Sequence, residues 1–165
     1  MNNNRTILLV EDDMVDAMTV RRALKELQVT NPLTIKGNGE EALDFLNDPA
    51  NEMPCIILLD LNMPRMNGID FLKVIKNQDN LRSIPVIVLT TSKADQDVGT
   101  TFDLSIAGYM VKPVDYKKFV ETLKTIRLYW TLCELPVSEV SLRDMTGQPA
   151  PSIYRDNSSI YVSRS

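Results

Sequence analysis

Five short apolar runs recur along the chain: TILLV (6–10), LTIK (33–36), CIILL (55–59), PVIVL (85–89) and GYMV (108–111). All but LTIK are apolar on both faces when read as strands, which predicts burial between helix layers. Pro85 stands at the start of its run, a position a strand tolerates. The segments between the runs carry helical periodicity. Ala17, Val20, Leu24 and Leu27 line one face of the first, with Arg21, Arg22 and Lys25 turned away. Ala42, Phe45 and Leu46 line a second. Leu72 and Ile75 belong to a third, opened by Asn67 as its cap. The fourth, from about Lys93 to Ser105, is poor, because Gly99, Thr100 and Thr101 stand together inside it. A glycine there costs ~1 kcal/mol relative to alanine, and each threonine adds some tenths. The fifth is stronger, with Phe119, Leu123, Ile126 and Trp130 on one stripe.

The order is therefore strand then helix, five times over, ending near residue 132. That alternation predicts an α/β fold, a doubly wound parallel sheet with helices on both faces. The pattern changes in the last thirty-odd residues. From Pro136 the chain is rich in Ser and Pro and has no sustained stripe. The expected organisation is one domain over 1–132 and a mobile tail over 133–165, too short for a winged-helix output domain. Within the tail, SSIYVS reads as a short strand.

Composition narrows the function. The net charge is -4, which argues against nucleic acid as a direct partner. No apolar run approaches the ~18 residues of a membrane span. The opening MNNNRT has no signal-peptide core, and Cys55 and Cys133 make no disulfide or metal framework. A cytoplasmic protein is expected. The chain has no histidine. That removes a histidine-based triad, a histidine metal site and any role as a phosphohistidine carrier.

In an open parallel sheet, ligands bind at the carboxyl ends of the strands. Glu11 and Asp12 follow the first run, Asp60 the third, Thr90 and Thr91 the fourth, and Lys112 then Pro113 the fifth. If the first and third strands are neighbours, the three acids converge, and like charges at that separation resist joint ionisation. Lys112 offsets one charge and a divalent cation would offset two more. An all-oxygen set suits Mg²⁺ or Mn²⁺ rather than Zn²⁺. A hydroxyl, an ammonium and a hard cation are the devices that hold a transferring phosphoryl group, and Asp60 is placed to accept one as a nucleophile. Singly, each residue has a plainer role. Asp60 and Thr90 can cap helices, Glu11 to Asp13 can open the first helix, and Lys112 can be a solvated loop lysine. Four strand ends carrying the parts of one site make coincidence the weaker account.

The pieces LLVEDD, LLDLNMPRMNG, PVIVLTTS and YMVKP together resemble the receiver domain of two-component response regulators, from about Arg5 to Trp130. Asp60 precedes Thr90 by 30 residues and Thr90 precedes Lys112 by 22, as in that family. The resemblance implies a flavodoxin-like (βα)5 fold with strand order 2-1-3-4-5. It implies Asp60 as phosphoacceptor, and Mg²⁺ on Glu11, Asp12, Asp60 and the backbone carbonyl of Asn62. Lys112 would bridge to the phosphoryl group, Thr90 would hydrogen-bond it, and Tyr109 would change rotamer in step. Pro113 would follow a cis peptide bond, and Asn62 and Ser92 would tune hydrolysis. The chain would be a regulator rather than an enzyme, one that promotes its own phosphorylation and slow dephosphorylation. Phosphatases with an aspartyl-phosphate intermediate commonly carry a second aspartate two residues on, where this chain has Asn62. A receiver-like scaffold that signals without phosphorylation would show a broken acid pocket, and this one is complete.

RRAL, GEEALDFLND, LNMPRMNGIDFLKVIK and YWTLCELP are similar to single-domain regulators paired with bacterial phytochromes and other sensor kinases. That similarity implies a sensor histidine kinase as partner, and Met14, Val15, Met18, Pro113 and Val114, apolar and beside the site, are the candidates for its docking rim. It also implies a homodimer through the fourth helix, last strand and fifth helix, with Leu128, Tyr129 and Leu132 on or near that face. The chain departs from the family at Ser105-Ile106, where Gly-Ala is usual. Serine at a left-handed helix end costs ~1 kcal/mol.

Overall fold

The computed structural model describes residues 4–91 and 95–132, with side chains described for 4–91 and 98–128. Strands and helices alternate: β1 (Ile7–Val10), α1 (Met14–Glu26), β2 (Leu33–Lys36), α2 (Gly39–Asn47), β3 (Ile56–Leu59), α3 (Gly68–Lys76), β4 (Val86–Thr90), α4 (Asp95–Asp103), β5 (Gly108–Val111) and α5 (Tyr116–Leu132). The five strands are parallel in the order β2-β1-β3-β4-β5, as expected. The fourth helix ends at Asp103, two residues before its predicted end at Ser105.

The pleat sorts the core into two layers. Leu8, Val10, Ile57, Leu59, Val86 and Val88 join Ala42, Leu46, Phe71, Leu72 and Ile75 from α2 and α3. The alternate strand residues, among them Leu9, Ile56, Leu58 and Leu89, are buried with Ala17, Val20 and Leu24 of α1 and Leu123 and Ile126 of α5. α1 packs against α5, α2 against α3, and α3 against α4. Cys55 is a buried core cysteine.

Two expectations need correction. β5 is half-buried along its length rather than covered on both faces, because it is an edge strand, and Val111 at its end is exposed. Leu27 leaves the α1 stripe: it is the C-cap residue, and Ala23 takes the buried place.

Each of the first three helices is capped by a short polar side chain. Asp13 accepts the Asp16 N–H at 3.0 Å, Asn38 the Glu41 N–H at 3.0 Å, and Asn67 the Asp70 N–H at 2.9 Å. α4 is followed two residues on by Ser105 in the left-handed region, with φ 57° and its N–H on the Phe102 carbonyl at 2.9 Å. That conformation is the one the sequence flagged as costly for a residue with a Cβ.

Candidate functional site

Sheet register sets the site. Val10 stands opposite Leu59, and the Asp60 N–H donates to the Val10 carbonyl at 3.0 Å. Glu11 and Asp60 therefore leave the sheet side by side. On the other flank Thr90 pairs with Val111, and the Lys112 N–H donates to the Thr90 carbonyl at 2.8 Å. Strand ends, not flexible loops, carry all four side chains.

The turn after β3 is held from below. Gly68 donates its N–H to the Leu61 carbonyl at 3.0 Å. A Cβ there would lie 2.5 Å from the Asp60 carbonyl oxygen and 2.7 Å from the Leu61 Cα. Both are backbone atoms that cannot swing aside, so only glycine lets α3 start this close to Asp60. Arg65 bends the same turn with φ 62°. Beside the turn lies an open cavity of about 430 Å³, lined by Asp12, Asn62, Met63, Pro64 and Asn67 among others.

Carboxylate oxygens of Glu11, Asp12 and Asp60 lie within 4.8 Å of one another. Glu11 and Asp60 are buried and Asp12 is exposed. Among the described residues the Asp60 Oδ1 is buried with no hydrogen-bond partner. Leaving such an atom unpaired costs about 1–3 kcal/mol, so the site is built for something that binds oxygen. A hard divalent cation fits this donor set.

Electrostatics agree. Burial raises the Asp60 carboxyl above its ordinary range, while the Lys112 charge, the Thr90 hydroxyl and the backbone N–H groups of Asn62 and Leu61 pull it back. Burial likewise raises Glu11, against its bond to Lys112. Burial lowers the Lys112 ammonium, but hydrogen bonds to Asp16 and Glu11 outweigh it, so the lysine titrates higher than usual. Lys112 is paired with Glu11 and, at 2.8 Å, with Asp16. Asp16 was not a site candidate from sequence. A fold is needed to bring it 96 residues across the chain to Lys112.

The remaining predicted residues sort plainly. Thr90 is fully buried and hydrogen-bonds Asp60, whereas Tyr109 is half-buried and stands opposite Val88 in register. Met14, Val15, Met18 and Val114 are exposed, and Pro113 is half-buried. Ser92 lies outside the described residues, as do the side chains of Tyr129, Trp130 and Leu132 and the tail from Cys133 on. The expected cis bond before Pro113 is not found: no peptide bond among the described residues is cis. A bond to proline prefers trans by about 0.5–1 kcal/mol.

Residues 7–124 match the response regulator receiver domain family. The chain is 36% identical over 127 residues to a probable methanogenesis regulatory protein, FilR2, of Methanothrix harundinacea, covering 75% of this chain and 82% of that one. It is 35% identical over 133 residues to response regulator Rcp1 of Synechocystis sp., covering 78% and 90%. The Mn²⁺-bound structure of Rcp1 superposes with a TM-score of 0.74 at 34% identity, covering 81% of this chain and 99% of that one. A phosphorylated cyanobacterial phytochrome response regulator, RcpA, superposes with a TM-score of 0.75 at 31% identity, covering 81% and 99%.

Proposed function

The chain belongs to the response regulator receiver domain family, and from that premise we propose that it takes a phosphoryl group from the phosphohistidine of a sensor histidine kinase onto Asp60. One observation carries the reading. A buried carboxylate with an orphaned oxygen stands at a strand end, beside two further acids, the Thr90 hydroxyl and the Lys112 ammonium. An Asp60 oxygen attacks phosphorus, the P–N bond to the kinase histidine breaks, and the imidazole leaves with a proton. Lys112 and Thr90 neutralise and hydrogen-bond the equatorial oxygens of the group in flight.

Glu11, Asp12, Asp60 and the Asn62 carbonyl would hold Mg²⁺ or Mn²⁺. Bound there, the cation supplies Lewis-acid charge stabilisation to the phosphoryl oxygens. Asn62 has no carboxyl with which to activate water, so hydrolysis of the acyl phosphate is slow. Tyr109 changes rotamer in step with Thr90, Pro113 follows Lys112, and Ser92 belongs to the same rim by sequence. The apolar side chains of Met14, Val15, Met18 and Val114, exposed beside the acids, suit kinase docking together with Pro113.

The kinase assigned on likeness is a bacterial phytochrome, because RcpA is a phytochrome response regulator. The phosphorylated form signals through α4, β5 and α5, where Phe102, Val111 and Leu128 are exposed, and a homodimer forms on that face. A cytoplasmic setting suits this reading. Among the described residues no helix is long and apolar enough to cross a membrane. A scaffold role without phosphorylation is not favoured, since the acid pocket is intact.

Acetyl phosphate with Mg²⁺ provides the test. Wild type should gain one phosphoryl group by intact mass and Asp60→Asn none. Equal labelling of the two, or no labelling of either, overturns the assignment.

A further inference from the structure

Lys112 is nearly dry, with 9% of its side chain exposed, and its ammonium is shared between two acids. Glu11 is one, at 1% exposure. The other, Asp16, is on α1, and 40% of its side chain is in solvent. Both lie on the β1–α1 side of the ammonium. Asp60, the group Lys112 must serve, acts on it only through space: its Oδ1 has no hydrogen-bond partner among the described residues. An ammonium has three donors. Two of them are spent on the β1–α1 side, so drawing the ammonium toward a phosphoryl oxygen on Asp60 pulls against both bonds, and the one cheaper to release gives way. The two carboxylates differ in what release costs them. Glu11 would be left as a bare charge in the protein interior, which is expensive. Asp16 is already half in water and can be rehydrated.

We propose that Asp16 is a positioning residue, a releasable tether that holds Lys112 against α1 until a phosphoryl group on Asp60 competes it away. The inference rests on Asp60 as the phosphoacceptor. Asp16 then sets the balance between the two states, since its attraction for Lys112 opposes the phosphorylated form. The substitution that tests it spares the helix. The α1 cap is the Asp13 side chain on the Asp16 backbone N–H, so Asp16→Asn keeps the cap and the volume and removes only the charge.

The experiment is a titration of the full chain with beryllofluoride, a phosphoryl mimic, at saturating Mg²⁺ and low salt, in wild type, Asp16→Asn, Asp16→Glu and Asp60→Asn. Mg²⁺ affinity is measured separately. Asp16→Asn should bind the mimic about three- to fivefold more tightly, the scale of a partly exposed ion pair. Asp16→Glu should return toward wild type, and the gap should narrow in high salt. Mimic affinity that is unchanged or weaker in Asp16→Asn, while still requiring Asp60, overturns the tether alone. A gain fully matched by a gain in Mg²⁺ affinity also overturns it, because that is a general charge effect. Failure of wild type to bind the mimic, or equal binding by Asp60→Asn, removes the phosphoacceptor reading and the tether together.

Discussion

Glu11 and Asp60 leave strands that are wholly buried and paired on both edges, whereas Tyr109 and Lys112 come from an edge strand that is half-exposed. The helices differ in the same sense. α1, α2 and α3 each start on a side-chain cap. α4 contains Gly99, where an added Cβ would meet no atom of the described residues within 4 Å, and is followed two residues on by a left-handed serine. One half of the molecule is over-determined and holds the acids. The other has little to hold it in one place, and low local stability is what a moving element requires. The contrast teaches that the reaction centre and the part that reports its state are built to opposite specifications within one sheet.

Four substitutions test that contrast, taken from the largest expected effect down. Gly68→Ala drives a Cβ into the backbone of Asp60 and Leu61. It should cost about 3 kcal/mol in chemical denaturation, the upper end of overpacking penalties, and abolish beryllofluoride binding. A tolerated alanine would mean the turn below Asp60 is not rigid.

Asp60→Asn removes a buried charge and should raise stability by about 1–3 kcal/mol at neutral pH in metal-free buffer. The sign follows from linkage. Burial raises Asp60 in the folded state, so the fold binds this proton more tightly than the unfolded chain does. Its contribution is full below the unfolded value and is lost as pH rises through the raised one. The wild-type profile should therefore fall across that window relative to the variant, and Mg²⁺ should close the gap. Parallel profiles would show that the carboxylate carries no burial penalty.

On the other side of the comparison, Ser105→Gly should stabilise by about 1 kcal/mol, by relieving a Cβ in the left-handed region. Gly99→Ala should add about 0.5–1 kcal/mol, because the site is open and only backbone entropy changes. Both are read by thermal melts. Hydrogen exchange should show the gain confined to α4 and its flanks; a gain spread over β1 and β3 would erase the distinction.

Much of this was legible in the chain itself. The five apolar runs are the five strands to within a residue, because buried parallel strands need unbroken apolar sequence. Glu11, Asp12, Asp60, Thr90 and Lys112 were legible because position at a strand end is a property of sequence once strands are known. Ser105 was legible because only a departure from glycine marks a left-handed residue in advance. Arg65 and Gln28 carry the same backbone sign with φ 62° and 56°, and nothing in their sequence context marks them. β5 was misjudged because GYMV has the composition of a covered strand, and being at an edge is decided by topology. Asp16 was missed for a related reason. It reads as an ordinary first-turn acid of α1, and its contact with Lys112 exists only across the completed sheet.

Because Val10 stands opposite Leu59, a single residue inserted into β1 or β3 would turn every later side chain of that strand to the opposite layer and carry one carboxylate away from the other. The connection from Asp48 to Cys55 enters β3 from the far end of the sheet. Doubling such a loop costs only about 0.6 kcal/mol in closure entropy. Relatives of this chain can therefore gain or lose residues at the pole where the strands begin, while the pole where they end keeps a fixed residue count. Growth and chemistry are separated along the strand axis, and gap positions in an alignment should fall on the first pole.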